Sequence, residues 1–242
     1  MPGDYDHSNP SGEGRLVYDK QGNPAKAEYG TAVYDLAVGK FQGVPPQASL
    51  QEAIEASAAR AQANRNPTPK AVLQFEDRIR SDALETVGLF DAQGSLIYRN
   101  QGKADRVEIH LNESQQRRVK DSFMTHNHPT EKGVRRGDPR WRGYSFSVED
   151  IEAAAELEVA EIRVVTRGYR HSMRPPKSGW NKELSENIRL AFEKNRAKVL
   201  SEMRSAIARG ELTIEQAQAD EFHETWQRTS KQLRLKYKRE KK

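Results

Sequence analysis

Ser122-Phe123-Met124-Thr125-His126-Asn127-His128-Pro129 is the stretch on which the reading of the fold turns. Its first four residues have the make-up of a short strand, and that strand delivers two histidines two positions apart. In an extended segment side chains at i and i+2 project to the same side, so the His126 and His128 imidazoles converge. Pro129 lacks an N–H and ends regular pairing just beyond them. Taken alone, the pair reads better as a polar loop that holds no metal.

Downstream, Ser147-Val148-Glu149-Asp150 opens an apolar run. Ser-x-x-Asp is a capping box for a helix reaching to about Val159, and it also sets a carboxylate on the first helical turn. Asp150 can therefore be a cap or a third metal ligand. Beyond it, Ile162-Arg163-Val164-Val165-Thr166 is a β-branched strand with a partner from Tyr169 to Met173.

Upstream, Val72, Leu73, Phe75, Ile79 and Leu84 are spaced mainly as on one helical face. Val87 to Phe90 and Ser95 to Tyr98 flank the turn Asp91-Ala92-Gln93-Gly94 as a hairpin. Val107 to Leu111 suggests a further strand, and Asn112 caps a polar helix to about Asp121. Strands and helices interleave, which predicts an α/β fold: a small mixed β-sheet with flanking helices.

The ends differ in character. Residues 1–47 are rich in Gly, Pro, Asp, Asn and Ser and predict irregular structure, while Ser49 and Glu52 form a capping box ahead of an Ala-rich helix over 50–63. Asn66-Pro67-Thr68-Pro69 breaks that helix and marks a boundary. After Gly179 a helix over Lys182 to Ala208, a turn at Arg209-Gly210 and a second helix capped by Thr213 and Gln216 make a helical hairpin. The organisation expected is an extension over 1–66, a central domain over 67–178, and a hairpin with a basic tail over 179–242.

Composition narrows the chemistry. With 35% hydrophobic and 31% charged residues in 242, the chain reads as a compact domain with extensions. It has no cysteine, which excludes disulfides, a thiol nucleophile and thiolate metal ligands, so any zinc must use His and carboxylate. There is neither a standard export signal at the start nor an apolar run of membrane-spanning length, so the expectation is a cytoplasmic protein without membrane contact. The net charge of +5 permits nucleic-acid contact without demanding it. Two segments carry the cations: the insert 131–142, and the tail 231–242, read as a frayed, solvated helix end in preference to a nucleic-acid arm. Of the other histidines, His7, His110, His171 and His223, none has a partner at metal spacing.

His126-Asn127-His128-Pro129, followed by Ser147-x-x-Asp150 and preceded by Glu85-Thr86-Val87-Gly88, resembles in chain order the JAB/MPN (JAMM) zinc metallopeptidase pattern, most like its bacterial RadC-like branch. The resemblance spans about residues 70–175. It implies a cytidine-deaminase-like fold, Zn2+ held by His126, His128 and Asp150, Glu85 as general base, Ser147 at the developing oxyanion, and hydrolysis of an amide or isopeptide bond in a protein or peptide substrate. Similar prokaryotic domains occur in phage proteins and polymorphic-toxin systems. Glu85 reads otherwise as a surface residue among Glu76, Asp77 and Asp82, and Ser145 stands close to Ser147, although only Ser147 has the spacing to Asp150. The chain departs from the pattern in the length of Pro129 to Phe146, a basic and aromatic insert that forms a flap or loops away from the metal. The alternatives are a binding module of the same fold without catalysis, and a nucleic-acid-associated protein.

Overall fold

The computed structural model describes residues 67–241 in full and, ahead of them, the backbone of four strands. The chain divides into two compact units, 1–59 and 60–242. In the first, β1 (Arg15–Tyr18), β2 (Pro24–Tyr29), β3 (Ala32–Asp35) and β4 (Lys40–Gln42) pair in that order as an antiparallel meander. This corrects the expectation of irregular structure over 1–47: short strands between Gly- and Pro-containing turns leave little local signal. The helix expected over 50–63 lies outside the described residues.

In the second unit a six-stranded mixed sheet runs in the order β10-β9-β8-β7-β5-β6. Its strands are β5 (Thr86–Phe90), β6 (Leu96–Gln101), β7 (Phe123–Asn127), β8 (Glu161–Val165), β9 (Tyr169–Arg174) and β10 (Lys236–Lys241). Only β7 and β8 are parallel, and the chain between them passes through helix α3 (Val148–Glu156). β5, β7 and β8 are buried along their whole length, as central strands covered on both faces must be.

Helix α1 (Lys70–Ile79) covers one face with Val72, Phe75 and Ile79. The same helix buries Glu76 against Arg163 of β8 (2.5 Å) and Arg170 of β9 (2.8 Å), and Glu161 of β8 also pairs with Arg163 (2.6 Å), which explains an arginine inside a fully buried central strand. Leu84, expected on that helical face, lies beyond the helix and is exposed. In the β5–β6 turn, Asp91 Oδ1 accepts the Gln93 and Ser95 amides, and Gly94 takes the left-handed conformation (φ +86°) that the reversal requires. Helix α2 (Glu113–Val119) has the Asn112 capping box in place.

Val107 to Leu111 is not a strand of the sheet. It runs beside β6 through side chains instead of a backbone ladder: Tyr98 Oη donates to the Glu108 carbonyl (3.4 Å) and accepts from the His110 amide (3.1 Å), and Asn100 Nδ2 donates to the same carbonyl (2.9 Å). Side chains standing between two backbones hold them too far apart for strand pairing.

Helices α4 (Lys182–Ala208) and α5 (Ile214–Leu233) form the expected hairpin, with the Thr213–Gln216 box at the start of α5. The hairpin belongs to the same compact unit as the sheet, contributing Leu184, Ile188, Phe192 and Trp226 to the main apolar core. The basic tail is likewise corrected: Arg234 ends α5 in the left-handed conformation (φ 58°), and Lys236–Lys241 pairs antiparallel with β9 as an edge strand. Its period of two accounts for this, since Leu235, Tyr237 and Arg239 turn inward while Lys236, Lys238 and Glu240 face solvent. Lysines on an edge strand also oppose pairing with another chain.

Candidate metal centre

The expected site residues Glu85, His126, His128, Ser147 and Asp150 all line one cavity of about 610 Å³. Register explains the convergence. His126 on β7 pairs across to Val87 on β5, and Glu85 stands two residues before Val87, hence on the same face of the sheet. Asn127, the next residue along, points to the opposite face. It accepts from the Thr86 amide (2.7 Å) and donates to the Leu84 carbonyl (3.2 Å), clamping the segment that carries Glu85. Sequence reasoning gave this asparagine no role; its place between the two histidines was the available signal.

His126 Nε2 lies 3.0 Å from His128 Nε2, 3.2 Å from Asp150 Oδ1 and 3.9 Å from Glu85 Oε1, and His128 Nε2 lies 3.5 Å from Asp150 Oδ2. Glu85, His126 and His128 each offer a donor atom within 4.8 Å of the others and can hold a metal ion. Of the two carboxylates, Asp150 is nearer the ring nitrogens. His128 Nδ1 lies 3.3 Å from the Tyr144 carbonyl; a proton on Nδ1 satisfies that contact and leaves the Nε2 lone pair facing the cluster. His126 Nδ1 is buried without a hydrogen-bond partner.

The donor set suits a divalent cation. Two ionised carboxylates and two neutral imidazoles carry a charge of about −2, and ligand bonds of roughly 2.0–2.1 Å set nitrogen donors a little over 3 Å apart. Burial works against charging His126, yet Asp150, through its charge and a hydrogen bond, and Glu85 together raise its pKa. Burial alone would raise Asp150, but the two imidazoles hold its carboxyl well below the usual range. Glu85 is pushed up by burial, with Asp150 and Asp105 adding repulsion and the histidines opposing.

Capping and facing the histidines prove compatible for Asp150. Its Oδ2 accepts the Ser147 amide (2.7 Å) while Oδ1 points at His126. Ser147 Oγ accepts the Asp150 amide (3.1 Å), which leaves its O–H to donate into the cavity. Ser145, the neighbouring candidate, is buried and bonds to Tyr237 Oη (2.9 Å) instead.

The wall formed by residues 144–147 is tied down at each position. The Tyr144 carbonyl meets His128, Ser145 meets Tyr237 of β10, the Phe146 carbonyl accepts Trp226 Nε1 of α5 (2.7 Å), and Ser147 caps α3. The C-terminal elements therefore buttress the cavity. His171 Nδ1 (2.9 Å) and His223 Nδ1 (2.8 Å) also converge on Tyr237 Oη, so these two histidines serve a buried hydrogen-bond cluster. His110 is exposed beside Glu108, and His7 lies outside the described residues.

The long insert stacks onto the β8–β9 turn, while its Pro129, Glu131 and Tyr144 line the cavity. Thr166 Oγ1 donates to the Arg142 carbonyl (2.5 Å), and the Gly168 amide donates to the same carbonyl (3.0 Å). Gly143 (φ +84°) approaches Thr166 so closely that an added Cβ would sit 2.6 Å from the threonine Cβ. Pro139–Arg142 forms a short 3-10 turn capped by Asp138. Among the described residues no helix is long and apolar enough to cross a membrane. No family model, curated protein or solved structure matches the chain, so the functional reading rests on the residues and their geometry.

Proposed function

We propose that this chain is a zinc-dependent amide hydrolase of the JAB/MPN type, acting on a protein or peptide. One observation carries the proposal: His126, His128 and Asp150, brought from β7, the segment after it and α3, present their donor atoms to one another at 3.0–3.5 Å on the wall of an open cavity, with Glu85 beside them.

In this reading His126, His128 and Asp150 hold the zinc ion. When bound, zinc brings the acidity of water towards neutrality and polarises a carbonyl. Glu85 takes the proton from the attacking water and returns it to the departing amine. Its burial suits that task, because a carboxylate with a raised pKa is a better proton acceptor. Ser147 donates its hydroxyl to the carbonyl oxygen as negative charge grows there. The apolar side chains of Val87, Val107, Ile109, Met124 and Phe222 line the rest of the cavity and limit competing water.

Metal analysis tests the first half of the reading. Purified protein is expected to carry about one zinc per chain, and the His126→Ala and His128→Ala variants to lose it; equal zinc in all three would remove the site. Cleavage of a peptide library tests the second. Glu85→Gln should keep zinc and lose turnover by at least ~100-fold, the range typical of a general base. A zinc-loaded wild type that cleaves nothing would favour a binding module of this fold.

A further inference from the structure

The insert that separates His128 from Ser147 contributes to the cavity lining and also carries a cationic surface. Glu131 and Tyr144, at either end of its basic stretch, belong to the cavity lining. Between and beside them stand Lys132, Arg135, Arg136 and Arg142, joined by Arg167 from the β8–β9 turn, all exposed. Among the described residues none of these five has a carboxylate partner. The two acids of the insert are engaged elsewhere: Asp138 pairs with Arg140 at 2.6 Å, and Glu131 bonds to Tyr144.

Aromatic rings hold part of this charge in place. The guanidinium carbons of Arg136 and Arg167 lie 5.9 and 5.7 Å from the centre of the Trp141 ring. Arg142 Nη1 donates to Tyr169 Oη (3.3 Å). Guanidiniums resting on rings keep their N–H edges available while losing less side-chain freedom on binding. The backbone beneath them is stitched to the β8–β9 turn through the Arg142 carbonyl, so the surface is preformed.

We infer that this surface docks an acidic segment of the peptide substrate, a run of Asp or Glu on the same chain as the amide in the cavity. The inference rests on the hydrolase reading, which requires a polypeptide in the cavity; the insert that bears four of the five cations also supplies Glu131 and Tyr144 of the cavity lining. Carboxylates match guanidinium forks in geometry as well as charge. Single-stranded nucleic acid binds cationic surfaces by stacking its bases on aromatic faces, and the Trp141 ring is already engaged by two guanidiniums.

The test uses the full chain and two fluorescent probes of equal charge, an oligoglutamate peptide and an oligothymidylate, read by anisotropy across a salt series. The peptide is expected to bind more tightly, weakening as salt rises. The double variant Arg136→Gln/Arg167→Gln should weaken it about tenfold, the equivalent of two modest ion pairs. Arg136→Lys/Arg167→Lys, which keeps the charge without the planar fork, should restore only part of the loss. Tighter binding of the oligothymidylate, no binding of either probe, or peptide binding unmoved by the Gln variant overturns the inference. The His126→Ala variant should lose zinc and still bind the peptide, so failure of the metal site and failure of this surface give separate results.

Discussion

Replacing Tyr237 by Phe removes one oxygen atom and tests whether the C-terminal strand buttresses the cavity. That hydroxyl meets Ser145 Oγ at 2.9 Å, His171 Nδ1 at 2.9 Å and His223 Nδ1 at 2.8 Å, the full capacity of one donor and two acceptor sites. Each buried group left unpaired costs about 1–3 kcal/mol. Ser145 borders the main cavity and His223 borders a second one, so water can reach both. His171 cannot recover in this way, being 1% exposed with Nε2 already partnerless. The expected loss is therefore about 2–4 kcal/mol, well short of three full penalties. For a unit of this size that lowers the melting temperature by roughly 5–15 °C. Zinc affinity, measured by chelator competition, should fall about tenfold, because the wall containing Ser145 also carries the Tyr144 carbonyl that orients His128. Asn195→Ala supplies the control: it removes a buried α4–α5 hydrogen bond to Thr229 (3.2 Å) that involves no residue of 144–147. If Tyr237→Phe loses under ~1 kcal/mol, or if the control weakens zinc equally, the reasoning is refuted.

Ending the chain after Arg234 should abolish cooperative unfolding and zinc binding together, since it strips the edge strand and the buried Leu235 from the unit; a truncated protein with wild-type zinc content would restore the reading of a dispensable tail. Gly143→Ala should destabilise by about 2–3 kcal/mol, from its positive φ and the 2.6 Å approach to Thr166, and proteolysis should then begin within the insert; an unchanged urea midpoint and digestion pattern would count against the stitched flap. His223 has a folded pKa of about 4, lowered by burial and then by Arg239, with Asp220 opposing. Because the folded value lies below the unfolded value of about 6.5, its contribution is fully present above pH ~6.5 and is lost as pH falls towards 4. Urea unfolding of wild type and His223→Gln across that range checks this, and parallel pH profiles would exclude it.

Much of the secondary structure was legible because its signals are local. The Asn112, Ser147 and Thr213 capping boxes act within three residues, and each opens a helix where the sequence placed one. The Asp91–Gly94 turn and the period of two in β7 act over similar distances. The same locality explains the errors. Val107 to Leu111 has the alternation of a strand, yet the side chains of Tyr98 and Asn100 occupy the space where a backbone ladder would form. Lys236–Lys241 has the charge of a solvated tail, yet its inward side chains find an open sheet edge on β9.

The sequence by itself determined the chemistry on offer: two imidazoles on one side of a strand, a carboxylate on the first turn of a following helix, and no thiolate to compete for a metal. Only the tertiary structure decided that these groups share a cavity, that Asp150 caps its helix while facing His126, and that Asn127 clamps the segment bearing Glu85. It also decided that Tyr237, 92 residues from Ser145, holds the wall of that cavity. Spacing along a chain governs neighbours within a turn or a strand, whereas partners so far apart are chosen by how the whole core packs, which no short pattern encodes.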